Sequence, residues 1–281
     1  MSGRPPDGGP WPAPGSSGLA PDVDTGGGAW FTAPVSGEAP QLVLPQEAHS
    51  YEVDAFGLLT ATGLSGWLQE AAGRHATELG VGVQALLDRG LTWVLLRQAV
   101  QVDCPVRLWD RAEVRTWPSG VDRVVAVRDF EVRVGGQVAV RACTHWLVMD
   151  VATRRPVRPG KVLPERLQAE MPHAAAVGEL PPMPAGGEPG RRFPVRYLDI
   201  DQNLHVTNAT YVGWALEAIP EDTWRERRVR AFQVQFLHEC LLGDEVVSRA
   251  LPAGQDAWDH LVTRAADGKE LARVRTEWVP R

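Results

Sequence analysis

The 281-residue chain is 44% hydrophobic and 23% charged, the balance of a soluble globular protein with room for one large domain or two ordinary ones. A net charge of -6 argues against nonspecific nucleic-acid binding, and no apolar run approaches the ~18 residues of a membrane span. Cys104, Cys143 and Cys240 form no CxxC pair and are odd in number, so neither a zinc site nor a disulfide framework is expected. The start of the chain has no basic-then-apolar leader, and a cytoplasmic location is expected.

Residues 1–42, with "GRPPDGGPWPAPGSSG" and "TGGG", are too rich in Gly and Pro to offset their ordering entropy and are expected to be a disordered tail. A folded unit follows over 43–152. Leu64, Leu68, Ala71 or Ala72 and Leu79 recur at helical spacing, with Gly80 as a stop. Strands are expected over 92–103, 112–118, 123–134 and 138–149, with a hairpin turn at Gly135–Gly136. Residues 153–192, carrying "RRPVRPG" and "PPMPAGGEPGRR", have the composition of a loosely held linker.

The remaining unit, 193–281, repeats this grammar. Tyr211, Ala215 and Ala218 mark a helix that Thr207 or Asn208 would cap and that Pro220 ends. Strands are expected over 230–240, 245–251, 258–264 and 270–279, with a turn at Asp267–Gly268. The two units match residue by residue. "EVDAFGLLTATGLSGWLQEA" (52–71) lies over "DIDQNLHVTNATYVGWALEA" (199–218), pairing Asp54 with Asp201, Thr60 with Thr207 and Trp67 with Trp214. "GQVAVRACTHW" (136–146) lies over "GKELARVRTEW" (268–278), and Asp103–Cys104 is set against Glu239–Cys240. This is an internal duplication. One helix on one antiparallel sheet buries little. Two such units, joined sheet edge to sheet edge with helices side by side, give an α+β double hot-dog around a shared core.

Phe56 stands where the second unit has Asn203, and Leu58 where it has His205. The polar trio Asp201, Asn203 and His205 therefore belongs to one copy only, which points to chemistry at one site. In an extended segment alternate side chains share a face, which places Asp201, Asn203 and His205 together, and the helix after it directs N–H groups toward that face. Asn203 is suited to donate to an oxyanion, His205 to shuttle a proton and Glu239 to polarise water, with Asp201 as anchor. The reverse assignment of the two acids stays open. Cys240 also invites a papain-like reading as nucleophile, although alternation along "FQVQFLHEC" sets it opposite Glu239. A buried, small apolar role suits it better.

"DxNxH", then "VTNATYVGWALE", then "EC" resembles the acyl-acyl carrier protein (acyl-ACP) thioesterases of plant plastids and bacteria, and the likeness runs from about Ser50 to Trp278. Leu204 and Thr207 depart from the Gln and Asn more usual in the plant enzymes. The resemblance implies a double hot-dog that hydrolyses fatty acyl-ACP, with Asp201, Asn203, His205 and Glu239 as the catalytic network and the first unit holding the acyl pocket. It needs no cofactor. The partner implied is an acidic carrier protein, for which Arg225, Arg227, Arg228 and Arg230 of "WRERRVR" are docking candidates. A homodimer of the whole chain is a further possibility. Rival readings are an acyl-CoA thioesterase, an (R)-specific enoyl thioester hydratase (which would want D-x-N-P-x-H) and an acyl-thioester sensor.

Overall fold

The computed structural model describes residues 40–183 and 190–281. The expected tail lies almost wholly outside the described residues, as do 184–189 of the linker. Each repeat is built the same way. In the first, strand β1 (Leu42–Glu47) precedes helix α1 (Ala61–Glu78), a short helix α2 (Val83–Leu87) and the strands β2 (Leu91–Val102), β3 (Arg111–Asp122), β4 (Val125–Val134) and β5 (Gln137–Asp150). A two-residue strand β6 (Pro156–Val157) hangs on β5. In the second, β7 (Arg191–Pro194) precedes α3 (Asn208–Leu216), a short α4 (Glu221–Glu226) and β8 (Arg227–Phe236), β9 (Glu245–Pro252), β10 (Ala257–Arg264) and β11 (Glu270–Pro280).

The strand order β1-β3-β4-β5-β2-β8-β11-β10-β9-β7 reads the same from either end once the repeats are equated. The seam is the antiparallel pair β2–β8, with Val100 opposite Phe232 and Gln98 opposite Val234. Alternation along these strands sends Val100, Phe232 and Val234 into one core with Leu64, Trp67, Leu68, Val212, Trp214 and Ala215 of the two helices. The helices lie close together, since a side chain added at Gly213 would meet Thr62 at 3.3 Å. Trp67 and Trp214, equivalent by sequence, are both buried. No helix among the described residues is long and apolar enough to cross a membrane.

The eight long strands fall within a few residues of expectation. The short β1, β6 and β7 and the helices α2 and α4 were not foreseen, because none is long enough to show a period. The described part of the linker is not loosely held. Leu163 and Leu167 are buried against Leu79, Val81 and Ala126, and Leu180 donates its N–H to Gln235 (2.9 Å) and accepts from Arg273 (3.2 Å). A buried carboxylate secures it as well. Asp129 accepts from the Ala174 N–H (2.6 Å) and the Ser119 hydroxyl, and pairs with His173 at 3.0 Å. A composition rich in Pro and Gly was mistaken for slack, when the isolated apolar residues within it are what tie it down.

Candidate active site

The polar trio lies in a turn, not on an extended strand as expected. Asp201 and His205 close it through a backbone hydrogen bond of 2.8 Å, and Ile200 and Val206 form a bridge just outside it. One Asp201 carboxylate oxygen accepts the N–H groups of Asn203 (2.8 Å) and His205 (3.4 Å), while the other takes the Asn203 amide at 3.3 Å. The first repeat makes the same turn. Asp54 accepts from Phe56 (2.9 Å) and Leu58 (3.0 Å), and Val53 bridges Leu59. Asp201 is therefore the residue that shapes the turn, and a duplicated fold keeps it in both copies. The side chains presented two and four residues on are what differ.

At the tight position of the turn, Gly57 has φ +74° and Leu204 has φ +63°. Left-handed backbone costs a residue with a β-carbon roughly 1–2 kcal/mol, and Leu204 is largely exposed, so it gains little burial in return. Leu204→Asn is expected to raise stability by about 1 kcal/mol, read from the urea midpoint, because Asn tolerates this conformation. An unchanged midpoint would mean the turn relaxes without cost.

His205 and Glu239 meet. The imidazole Nε2 lies 3.1 Å from a Glu239 carboxylate oxygen, both side chains being a little under half exposed. The other oxygen takes a hydrogen bond from Arg154 at 2.7 Å, and Arg264 donates to the Glu239 carbonyl at 3.0 Å. Burial acts to raise the Glu239 carboxyl, but Arg154, His205 and Arg264 outweigh it and hold it below the ordinary carboxylate range. Arg154 comes from just beyond β5 of the first repeat, so the site straddles both halves. Helix α3 begins three residues after His205. Its N-cap Thr207 makes no side-chain capping bond, whereas the hydroxyl of Thr60 caps the Gly63 N–H of α1 at 3.0 Å.

Cys240 faces the other way. Its thiol is fully buried, 3.5 Å from an Asp244 carboxylate oxygen, and burial, with Asp244 second, pushes it up to about 12. Strand β8 ends at Phe236, so the expected alternation through residue 240 does not extend this far, yet Glu239 still points outward and Cys240 inward.

The coordinates also correct the alignment of the repeats here. The N–H groups of Asp103 and Cys104 bond the Ala139 carbonyl, as those of Leu237 and His238 bond that of Leu271, the residue equivalent to Ala139. Hence Pro105 is the counterpart of Glu239 and Val106 that of Cys240. The Leu59 N–H bonds Val106 as the Val206 N–H bonds Cys240. Glu239 thus has no acidic twin, and the twin of Cys240 is a buried valine. The Asp-Cys/Glu-Cys likeness in the sequence is a coincidence two residues out of register.

Family models for the acyl-ACP thioesterase N-terminal and C-terminal domains match residues 46–168 and 188–280. The chain belongs to the acyl-ACP thioesterase family. It is 27% identical over 258 residues to a chloroplastic acyl-[acyl-carrier-protein] hydrolase of Cuphea viscosissima, covering 83% of this chain and 60% of that protein. It is likewise 27% identical over 264 residues to a chloroplastic palmitoyl-acyl carrier protein thioesterase of Arabidopsis thaliana, covering 82% and 61%. The chain thus spans about three-fifths of the length of these curated relatives. Its fold matches a crystal structure of an acyl-ACP thioesterase from Bacteroides thetaiotaomicron (TM-score 0.72, 25% identity, 85% of this chain and 98% of that one). It also matches the 12:0-ACP thioesterase from Umbellularia californica (TM-score 0.75, 24% identity, 86% and 98%).

Within this thioesterase fold the arginine run is not gathered at the trio. Arg225 pairs with Glu221, and Arg227 with Asp256. Arg227 and Arg228 open β8, whereas Glu239 lies beyond its other end, roughly 30 Å away at about 3.3 Å per residue. Arg230 is exposed on the same strand. Sequence reasoning missed Arg154, hidden in the supposed linker. The adjacent Arg pair in "TRRPVR" is the one signal that pointed to it.

Proposed function

We propose that the chain hydrolyses the thioester of fatty acyl-ACP, releasing free fatty acid and ending chain elongation. The contact that carries this reading is the His205–Glu239 pair, made by the turn that also holds Asn203 and present in one repeat only. Glu239, kept ionised by Arg154, withdraws a proton from water as its oxygen attacks the thioester carbonyl. The Asn203 amide and the first N–H groups of α3 receive the developing oxyanion. The C–S bond then breaks, and His205 passes the proton to the leaving thiolate. Cys240 is not the nucleophile in this scheme, because a buried thiol beside a carboxylate stays protonated. The acyl chain is assigned to the first repeat, between α1 and its sheet, where Leu68, Leu95, Phe130 and Trp146 line a gap of about 10 Å³ that has to widen to admit an acyl chain.

The acidic carrier is received at this end of the molecule and not at residues 225–230. Arg155 and Arg158 are exposed next to Arg154, and supply the local positive charge. The site is complete within one chain and does not depend on a homodimer. Three unpaired cysteines suit a reducing, cytoplasmic setting.

The test is thiol release from matched acyl-ACP and acyl-CoA panels. Acyl-ACP is expected to be the better substrate, with an advantage that shrinks as salt screens the arginines. A folded chain that releases no thiol from any acyl-ACP would reject the proposal. The charge state of Glu239 gives a second check. Hydrolysis needs its carboxylate, so activity is lost as pH falls through its pKa. Arg154→Ala removes a cation that depresses this pKa, and is expected to move the acid limb of the kcat/KM profile to higher pH. An unmoved limb would assign the base elsewhere.

A further inference from the structure

The first repeat keeps a cavity where it has lost the chemistry. A hollow of about 290 Å³, near the lower edge of ligand pockets, opens beside its turn. Its walls include Leu58, Leu64, Val140, Ile219, Phe232 and Trp278, drawn from both repeats and predominantly apolar. It sits at the C-terminal end of α3, so it is the structural counterpart of the His205 site and not a part of it. Phe56, Leu58 and Pro105 stand at the positions of Asn203, His205 and Glu239, so the counterparts of the proposed catalytic groups are missing here. The carboxylates that remain at its rim, Asp54 and Glu217, are each paired with an arginine, and no imidazole among the described residues stands beside them, so the site binds and does not turn over.

The rim specifies the head group. Arg281 at the end of the chain pairs with Asp54 (3.1 Å) and lies 3.6 Å over the Phe56 ring, and Arg191 reaches Glu217 at 3.6 Å. Arg228, also on the rim, differs from these two. One terminal guanidinium nitrogen is buried without a hydrogen-bond partner among the described residues. A buried donor left unpaired costs roughly 1–3 kcal/mol, a cost that an anionic oxygen in the cavity would remove once the guanidinium turns toward it. A neutral alkyl ligand would leave it in place.

We infer that this cavity is a second, non-hydrolytic site for a single-chain fatty carboxylate, with the tail among the apolar walls and the carboxylate on Arg228. The choice of ligand rests on the proposed reaction, whose product has this chemistry, so the site would let the enzyme sense released fatty acid.

Equilibrium dialysis of the full chain against dodecanoate and dodecanol tests it. Dodecanoate is expected to bind, with Arg228→Gln weakening it at least tenfold and leaving dodecanol unchanged. Arg228→Lys is expected to recover part of the loss. Ala61→Leu, which narrows the cavity, is expected to weaken both ligands. The double variant Asn203→Ala/His205→Ala is expected to bind dodecanoate as the wild type does. Dodecanoate binding that is indifferent to Arg228→Gln, or that is lost in the Asn203/His205 variant, would overturn the inference. Arg228-dependent binding by a chain that hydrolyses no acyl-ACP would keep this site and reject the proposed reaction. Hydrolysis without such binding would do the reverse.

Discussion

Glu239→Gln is expected to lower kcat for acyl-ACP by roughly three orders of magnitude, within the range for loss of a general base. The amide keeps the size and hydrogen-bonding reach of the side chain but cannot accept a proton from water. It also replaces the ion pair with Arg154 by a neutral contact, so the fold is expected to survive, the pair being half exposed. Cys240→Ala is expected to stay within about tenfold of wild type, because its thiol sits in a pocket whose counterpart is filled by Val106. Single-turnover thiol release separates the two schemes. A folded but dead Cys240→Ala, beside an active Glu239→Gln, would replace the water mechanism with a covalent acyl-enzyme.

The largest effect on stability is expected at Asp129→Ala, far from the reaction. The carboxylate is fully buried and gathers the Ser119 hydroxyl, the Ala174 N–H and His173. Cys143 lies against it as well. Burial, with the Asp129 charge second, raises that thiol's pKa and keeps it protonated, a donor and not a metal ligand. The ligand atoms of Asp129, Cys143 and His173 do lie within 4.8 Å of one another, but Asp129 is already engaged by these donors. Removing it strands the buried Ser119 hydroxyl and takes the acceptor from the half-buried Ala174 N–H, while exposed His173 can turn to water, at a total cost of roughly 3 kcal/mol. For a chain of this size that is a fall in Tm of roughly 6–12 °C. The loss should be felt first along 171–180, the segment that Asp129 holds to the sheet. Hydrogen exchange there is expected to rise more than in β4. Uniform exchange across the sheet would show that the anchor is not local. Asp129→Asn, which keeps one acceptor, is expected to cost less.

Much of this molecule was legible before any coordinates. The eight long strands and both principal helices carry their period in the apolar residues, and the duplication fixed how the halves face each other. Phe56 and Leu58 opposite Asn203 and His205 set the two halves apart by comparison within one chain. What was not legible had specific causes. Asp201, Asn203 and His205 were read as alternating on a strand, because nothing in the spacing reveals a left-handed Leu204. Arg154 reaches Glu239 from 85 positions away in sequence, a contact that only the closing of the seam creates. The arginines at 225–230 looked like one patch because they are neighbours in sequence, but two are neutralised and a third lines a cavity. Asp103–Cys104 matched Glu239–Cys240 by letter and failed by hydrogen bond.

The β2–β8 seam has an evolutionary consequence. In a pair of identical subunits, every substitution lands twice, once on each side of the twofold axis. A protomer cannot make one mouth greasy without making the other so too. Covalent fusion lifts that rule, since each half can drift alone while the tether keeps its mate at hand however dilute the protein becomes. Leu58 and His205 are what such freedom leaves behind: two descendants of one position, one still able to carry a proton and the other not.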